Sequence, residues 1–152
     1  MIRVAINGYG RIGRIAHRVI LERFGKQMEV VAINAGSSTD LKGWMYLLKY
    51  DSVYGTFPNK ITVRENRQSK SDFLGEMVVS GKKIQMFSQK DPGLLPWADL
   101  DIDVVIESTG HFEDEKSLKL HIQAGAKAVV LSAPVKSGNV PTYVLSVNAK
   151  DY

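Results

Sequence analysis

Apolar residues in this chain fall into short blocks, and the blocks change period along its length. Arg3-Val4-Ala5-Ile6-Asn7 reads as a strand, and Gly8-Tyr9-Gly10-Arg11-Ile12-Gly13 follows it at once. Ile12, Ile15, Ala16, Val19, Ile20 and Phe24 then recur at helical spacing, with Arg14, Arg18 and Glu22 between them, and Gly25 closes the helix. Met28-Glu29-Val30-Val31-Ala32-Ile33 is mostly apolar, as a buried parallel strand should be. A helix over 40–50 carries Leu41, Trp44, Met45, Leu47 and Leu48 on its apolar side. From Lys60 to Phe87 the pattern turns to short alternating segments, with Ser80-Gly81-Lys82 marking a hairpin. This reads as a small antiparallel insertion, and the polar stretch Glu65 to Asp72 as an exposed loop. Residues 88–100 read as loop, marked by Asp91-Pro92-Gly93 and Pro96-Trp97. Periodicity then returns. A strand over 102–107, a helix over 114–124 closed by Gly125, a strand over 128–131 and a last strand from Thr142 to Val147 are expected.

Strands alternating with helices predict an α/β fold of the doubly wound, Rossmann type, with a mainly parallel sheet. The order strand, glycine turn, helix at the N-terminus has a physical rationale in dinucleotide binding. One glycine turns the chain tightly, one lets the backbone approach a pyrophosphate, and one lets the helix pack flush on the strand. The helix N-terminus then offers free N–H groups and the positive end of its dipole to two phosphates. The strands also end in small or polar residues: Asn7-Gly8, Asn34-Ala35, Ser108-Thr109-Gly110 and Ser132-Ala133. Ligands of open parallel sheets bind beyond these carboxyl ends.

Composition narrows the class. A chain of 152 residues suits one domain. Its 20 basic and 16 acidic side chains are interspersed, so the net charge of +4 points to neither a nucleic-acid nor a membrane partner. No apolar run is long enough to span a bilayer. The first strand begins at residue 2, so a cytoplasmic protein, or a mature chain freed of its targeting peptide, is expected. There is no cysteine, which removes disulfides, thiolate metal sites and thiol catalysis from these residues. His17, His111 and His121 lack metal-ligand spacing, so no metal site is expected; His17 and His121 fall on helices, as solvated or packed side chains.

Cofactor choice in such folds is made at the end of the second strand, where a carboxylate binds the ribose hydroxyls and repels a 2′-phosphate. Here the segment is Asn34-Ala35-Gly36-Ser37-Ser38-Thr39, and the first carboxylate, Asp40, belongs to the start of the next helix. A pocket open to the 2′-phosphate, with Ser37, Ser38 and Thr39 as neutral donors, is one reading. A turn that caps a helix is the other.

Several motifs occur in one order: Ala5-Ile6-Asn7-Gly8-Tyr9-Gly10-Arg11-Ile12-Gly13-Arg14, Leu48-Lys49-Tyr50-Asp51-Ser52, Pro96-Trp97, Glu107-Ser108-Thr109-Gly110-His111-Phe112, Ala124-Gly125-Ala126-Lys127 and Ser132-Ala133-Pro134. Together they resemble the N-terminal domain of the phosphorylating glyceraldehyde-3-phosphate dehydrogenases, over essentially the whole chain. The resemblance implies that residues 1–152 are the NAD- or NADP-binding domain of a longer, homotetrameric enzyme acting on a small phosphorylated aldehyde. It implies backbone contacts to the pyrophosphate from Arg11 and Ile12. Asn7 would lie in the same nucleotide-facing turn, Ser108, Thr109 and Gly110 beside the adenosine half, Phe112 against the adenine, and Ser132 and Ala133 near the nicotinamide ribose. Lys90 stands where the family usually has Arg, in a contact understood to run through the backbone carbonyl. Ala35 stands where NAD-preferring members carry Asp, and members without that Asp tend to accept NADP. The family's chemistry needs a cysteine that attacks the aldehyde and a histidine that activates it, before hydride passes to the nicotinamide and phosphate releases the acyl group. In the family the cysteine follows shortly after the point this sequence reaches, so a cofactor-binding fragment without turnover is expected. The cofactor domain of an erythrose-4-phosphate dehydrogenase and a stand-alone nucleotide-sensing module are the alternatives.

Overall fold

The computed structural model describes residues 1–66 and 72–151. Nine strands are present among them: β1 (Ile2–Asn7), β2 (Met28–Asn34), β3 (Tyr50–Asp51), β4 (Gly55–Thr56), β5 (Ile61–Glu65), β6 (Phe73–Val79), β7 (Lys82–Phe87), β8 (Val104–Glu107) and β9 (Ala128–Leu131). Three α-helices join them: α1 (Arg11–Val19), α2 (Leu41–Lys49) and α3 (Glu115–Gln123). Seven strands form one sheet in the order β5-β6-β7-β2-β1-β8-β9, while β3 and β4 make a separate two-stranded ribbon. The neighbours from β7 to β9 are all parallel, and β5–β6 and β6–β7 are antiparallel. The doubly wound α/β architecture expected from the sequence is therefore present.

β1 is central because both of its faces are apolar. Val4 and Ile6 point into one core with Leu41 and Leu48 of α2, while Ala5 points into the other with Trp97, Ile102 and Val105. β2 carries one extra residue against it. Val4 pairs with Val30 and Ala5 with Ala32, so Val31 and Ala32 both serve the second core. This bulge explains why β2 reads as an unbroken apolar run rather than an alternating one.

The antiparallel segment is not separate from the main sheet. Its last strand, β7, pairs with β6 on one side and with β2 on the other. The hairpin between β6 and β7 turns at Ser80 and Gly81, both with positive φ, as a two-residue turn of this hand requires. Of the polar stretch expected as a loop, residues 67–71 lie outside the described residues.

Two expectations need correction. The buried face of α1 includes Gly13, His17 and Arg18, whereas Ile12 and Phe24 are exposed. Helical spacing locates a face but does not recognise a polar side chain that finds buried partners. His17 and His121, expected as solvated or packed side chains, are both packed and fully buried. Finally, Thr142 to Val147 is not a strand. Asn148 accepts from Val144 N at 2.7 Å and donates to Thr142 O at 2.9 Å, closing a turn with Ser146 at φ +65°.

Candidate functional site

The glycine turn after β1 has the tight geometry its sequence demands. Gly8 has φ +91°, and a Cβ there would lie 2.6 Å from Thr109 N. A Cβ on Gly13 would lie 2.2 Å from Gly8 O, so α1 docks on the turn at contact distance. A Cβ on Gly10 would meet nothing within 4 Å; this residue faces open space at the start of α1. Among the described residues no side chain caps that helix end, which leaves its first N–H groups to a ligand.

Between the glycines, Tyr9 runs inward. Its hydroxyl meets His17 Nδ1 at 2.7 Å, and its ring packs edge-on against Trp44. Burial raises the Tyr9 phenol above its ordinary range, against the opposing charges of Arg14 and Arg18. Burial also pushes the His17 imidazole down to about 3. Arg14 donates to Tyr9 O at 2.9 Å and lies over the Trp44 ring. The turn is thus pinned to the protein by its one large side chain while its backbone stays exposed.

The carboxyl ends of β1, β2 and β8 meet in a buried polar cluster beside this turn. Asn34 Nδ2 donates to Asn7 Oδ1 at 2.7 Å, and Asn7 Nδ2 donates to Glu107 Oε2 at 2.5 Å. Thr109 donates its N–H and hydroxyl to Glu107 Oε1, at 2.8 and 2.5 Å. His121 Nε2 lies 3.0 Å from Glu107 Oε2, and Trp97 Nε1 donates to His121 Nδ1 at 2.9 Å.

Above the cluster opens a cleft of about 430 Å³. The structure brings Asn7, Gly8, Gly10, Asn34, Ala35, Ser37, Lys90, Ser108, Thr109 and Phe112 together around it, all of them expected from the sequence. Arg11, Ile12 and Gly13 begin α1 next to it, and Gly110 sits between two lining residues; none of these four lines the cleft itself. Ser132 and Ala133 follow β9 at the same edge of the sheet, where Ser132 N donates to Glu107 O at 3.0 Å, and Ala133 lines a different, neighbouring hollow. Tyr9, Gly36, Trp44, Gln89 and His111 also line the cleft, and sequence reasoning misses them. Trp44 reads as core on α2, and Gln89 adjoins Lys90 in a loop with no periodic signal.

Among the described residues no carboxylate lines the cleft, and Lys90 is the one lysine or arginine that does. At the end of β2, Ala35 N donates to Phe87 O, Gly36 turns at φ +65°, and Ser37 is exposed. Trp44 Nε1 donates to Ser38 Oγ at 3.0 Å, and Asp40 Oδ1 accepts from Gly43 N at 2.8 Å. Asp40 therefore caps α2, as the turn-and-cap reading has it; Ser38 accepts from Trp44 in the same turn, and Ser37 lines the cleft. Arg11 Nη1 reaches Asp51 at 3.4 Å outside the cleft. Among the described residues no cluster of His, Asp and Glu could hold a metal ion, and no helix is long and apolar enough to cross a membrane.

Comparison with known proteins points the same way. The family profile described as "Glyceraldehyde 3-phosphate dehydrogenase, NAD binding domain" matches residues 2–115. A glyceraldehyde-3-phosphate dehydrogenase of Thermotoga maritima is 48% identical over 148 residues, covering 97% of this chain and 41% of the relative. One from Mycoplasma pneumoniae is 45% identical over 149 residues, covering 98% of this chain and 40% of the relative. The chloroplastic glyceraldehyde-3-phosphate dehydrogenase B of Pisum sativum is 44% identical over 151 residues, covering 99% and 31%. The chain thus spans about two fifths, or less, of the length of the curated relatives it matches.

Proposed function

The chain belongs to the glyceraldehyde 3-phosphate dehydrogenase family, and from that premise we propose that residues 1–152 form the dinucleotide-binding domain of an enzyme that oxidatively phosphorylates glyceraldehyde 3-phosphate to 1,3-bisphosphoglycerate. The observation that carries the reading is the cleft itself: an uncapped helix N-terminus, backbone laid bare at Gly10, and, among the described residues, no carboxylate facing the space where phosphates would lie. These residues fit a dinucleotide. The N–H groups at Arg11 and Ile12 would hold its pyrophosphate, with Asn7 in the same nucleotide-facing turn; Ser108, Thr109 and Gly110 would lie beside its adenosine half, Phe112 against the adenine, and Ser132 and Ala133 near the nicotinamide ribose. When bound, the dinucleotide supplies the hydride acceptor. The 152 residues hold no cysteine, so the thiol used by the chemistry comes from outside them, and the fragment binds cofactor without turnover.

The finer assignment is that NADP is accepted, alone or beside NAD. Ala35 and Ser37 leave the end of β2 uncharged on its cleft side, and Lys90 adds a positive charge to the rim. Titration of NAD and NADP against the wild type and Ala35→Asp tests this. NADP should bind the wild type, and Ala35→Asp should weaken it at least about tenfold by setting a carboxylate against the 2′-phosphate. Tight NAD binding with negligible NADP binding by the wild type would remove the NADP assignment; failure to bind either would remove the cleft reading.

A homotetramer is the assembly we assign to the whole protein. Tyr46, Tyr50, Val53 and Tyr54 form an exposed apolar surface on α2 and the β3–β4 ribbon, which supports a subunit contact there. Sedimentation of the full-length protein with and without Tyr54→Glu reads it out; a monomer before substitution would refute the assignment.

A further inference from the structure

The hydrogen bonds beneath the cleft have a direction, and one side chain sets it. An indole N–H can only donate, so His121 Nδ1, which accepts from Trp97 Nε1, carries no proton. The proton therefore sits on Nε2 and is donated to Glu107 Oε2 at 3.0 Å. In this tautomer the 3.4 Å approach of Asn7 Nδ2 to His121 Nε2 sets two donors side by side and is not a bond. Glu107 is fully buried. It meets four donors: Thr109 N and Oγ1 at one oxygen, Asn7 Nδ2 and His121 Nε2 at the other. Three of these, Thr109 N, Asn7 Nδ2 and His121 Nε2, can only donate, so both oxygens of Glu107 meet them with acceptor lone pairs, and the Thr109 hydroxyl completes the set. With His121 uncharged, this carboxylate has no cation among its four partners and is held by hydrogen bonds alone.

The polarity then runs outward to the cleft. Asn7 must present Nδ2 to Glu107, which leaves Oδ1 for Asn34 Nδ2 at 2.7 Å. Asn34 Nδ2 also donates to Gln89 O at 2.8 Å, and Asn34 Oδ1 accepts from Gln89 N at 2.9 Å. Thr109, having given both hydrogens to Glu107, turns its oxygen lone pairs to His111 N at 3.1 Å. Asn7, Asn34, Gln89, Thr109 and His111 all line the cleft.

We propose that Glu107 is a positioning residue for dinucleotide binding: its buried carboxylate fixes the amide orientation of Asn7, in register with Asn34, whose own amide the Gln89 backbone holds, and the hydroxyl of Thr109, and so presets the cleft wall. The inference rests on the reading of the cleft as a dinucleotide site. It assigns no contact between Glu107 and the ligand; the side chain acts through its neighbours.

Exchange of polarity at constant shape tests it. In Glu107→Gln one oxygen becomes a donor and opposes either the Asn7 and His121 donors or the two from Thr109. In Glu107→Gln combined with Asn7→Asp, amide and carboxylate trade places. The carboxylate now at position 7 can accept from position 107, from Asn34, and from His121 Nε2. The full-length protein is titrated with NAD by calorimetry, and the histidine ring nitrogens are read by 15N NMR at pH 7. Glu107→Gln should bind NAD at least about tenfold more weakly, as loss of hydrogen bonds to a charged group implies. The exchange variant should recover part of that loss, because the clash at position 7 is relieved while His121 Nε2 must turn from position 107 to position 7, and wild-type His121 should show a neutral ring protonated at Nε2. Should Glu107→Gln fail to fold, the exchange variant and the wild-type spectrum decide the matter. Unchanged affinity in Glu107→Gln, no recovery on exchange, or an imidazolium signal from His121 overturns the proposal. A folded wild type that binds no NAD overturns the cleft reading, and this proposal with it.

Discussion

Tyr9, just before α1, and His17, on the second turn of α1, share one hydrogen bond of 2.7 Å inside the core. The pair ties the glycine turn to the body of the helix that leaves it, while His17 Nε2 has no partner among the described residues. Each partner therefore carries a cost that the other offsets only in part.

Stability should fall on mild acidification because of His17. Its folded-state value of about 3 lies below its ordinary 6.5, so the folded protein binds this proton less readily than the unfolded chain does. The contribution is complete above about pH 7 and is lost as pH falls from about 6.5 toward 3. Between about pH 7 and about pH 4.5 the loss should be on the order of 2–3 kcal/mol, measured by denaturant unfolding, and His17→Gln should flatten the slope. The carboxyls of Asp51, Asp103 and Asp114 act lower, because backbone hydrogen bonds hold each of them below its ordinary 3.8 and their stabilisation is lost only as pH falls below that.

A double-mutant cycle should show the same pair. Tyr9→Phe or His17→Leu alone leaves a buried polar group without its partner and should cost about 1–3 kcal/mol. The combined variant should cost less than the sum by about 1 kcal/mol. Additive losses would mean the two side chains do not support each other.

The glycines should separate binding from folding. Gly13→Ala drives a methyl into Gly8 O and should prevent α1 from docking, with a large loss of thermal stability. Gly10→Ala meets only open space and should melt close to the wild type while losing dinucleotide affinity, since the methyl stands where the pyrophosphate would approach. A Gly10→Ala protein with wild-type affinity would place the phosphates elsewhere.

Arg18 should be worth more than its charge. It is buried, donates from Nε and Nη2 to Leu48 O and from Nη1 and Nη2 to Gly55 O, and lies over the Phe57 ring. It therefore serves the Leu48 carbonyl in the last turn of α2 and the first residue of β4 together. Arg18→Ala should cost about 2–4 kcal/mol by chemical denaturation, and Arg18→Lys should recover only part, lacking the planar fork. A loss within about 0.5 kcal/mol would mark the contact as a surface one.

What the chain reveals in advance follows from how each feature is encoded. β1, β2, β8 and β9 are runs of apolar residues ending in small ones, a local signal. The glycine turn and Asp40 at the head of α2 are also local, because each is satisfied within a few residues. The roles of Arg18, His121 and Trp97 are not. Their partners are 30, 14 and 24 residues away, so a charged or aromatic residue on a helix or loop looks the same whether or not that partner exists. The sequence pattern of Thr142 to Val147 suits a strand, but β9 is the edge of the sheet, and the segment closes on Asn148 instead.

The link between Asn7 and Glu107 joins residues 100 apart in the chain. It has a consequence for the order of events in folding. The hairpin of β6 and β7 closes over two residues, Ser80 and Gly81, and can form early, whereas β1 and β8 must find each other across a long loop. The cleft wall is built from that distant pairing, so no partly folded chain can present it. Dinucleotide added to a refolding protein should engage only in the final phase, and nucleotide binding then serves as a report that the central sheet is complete.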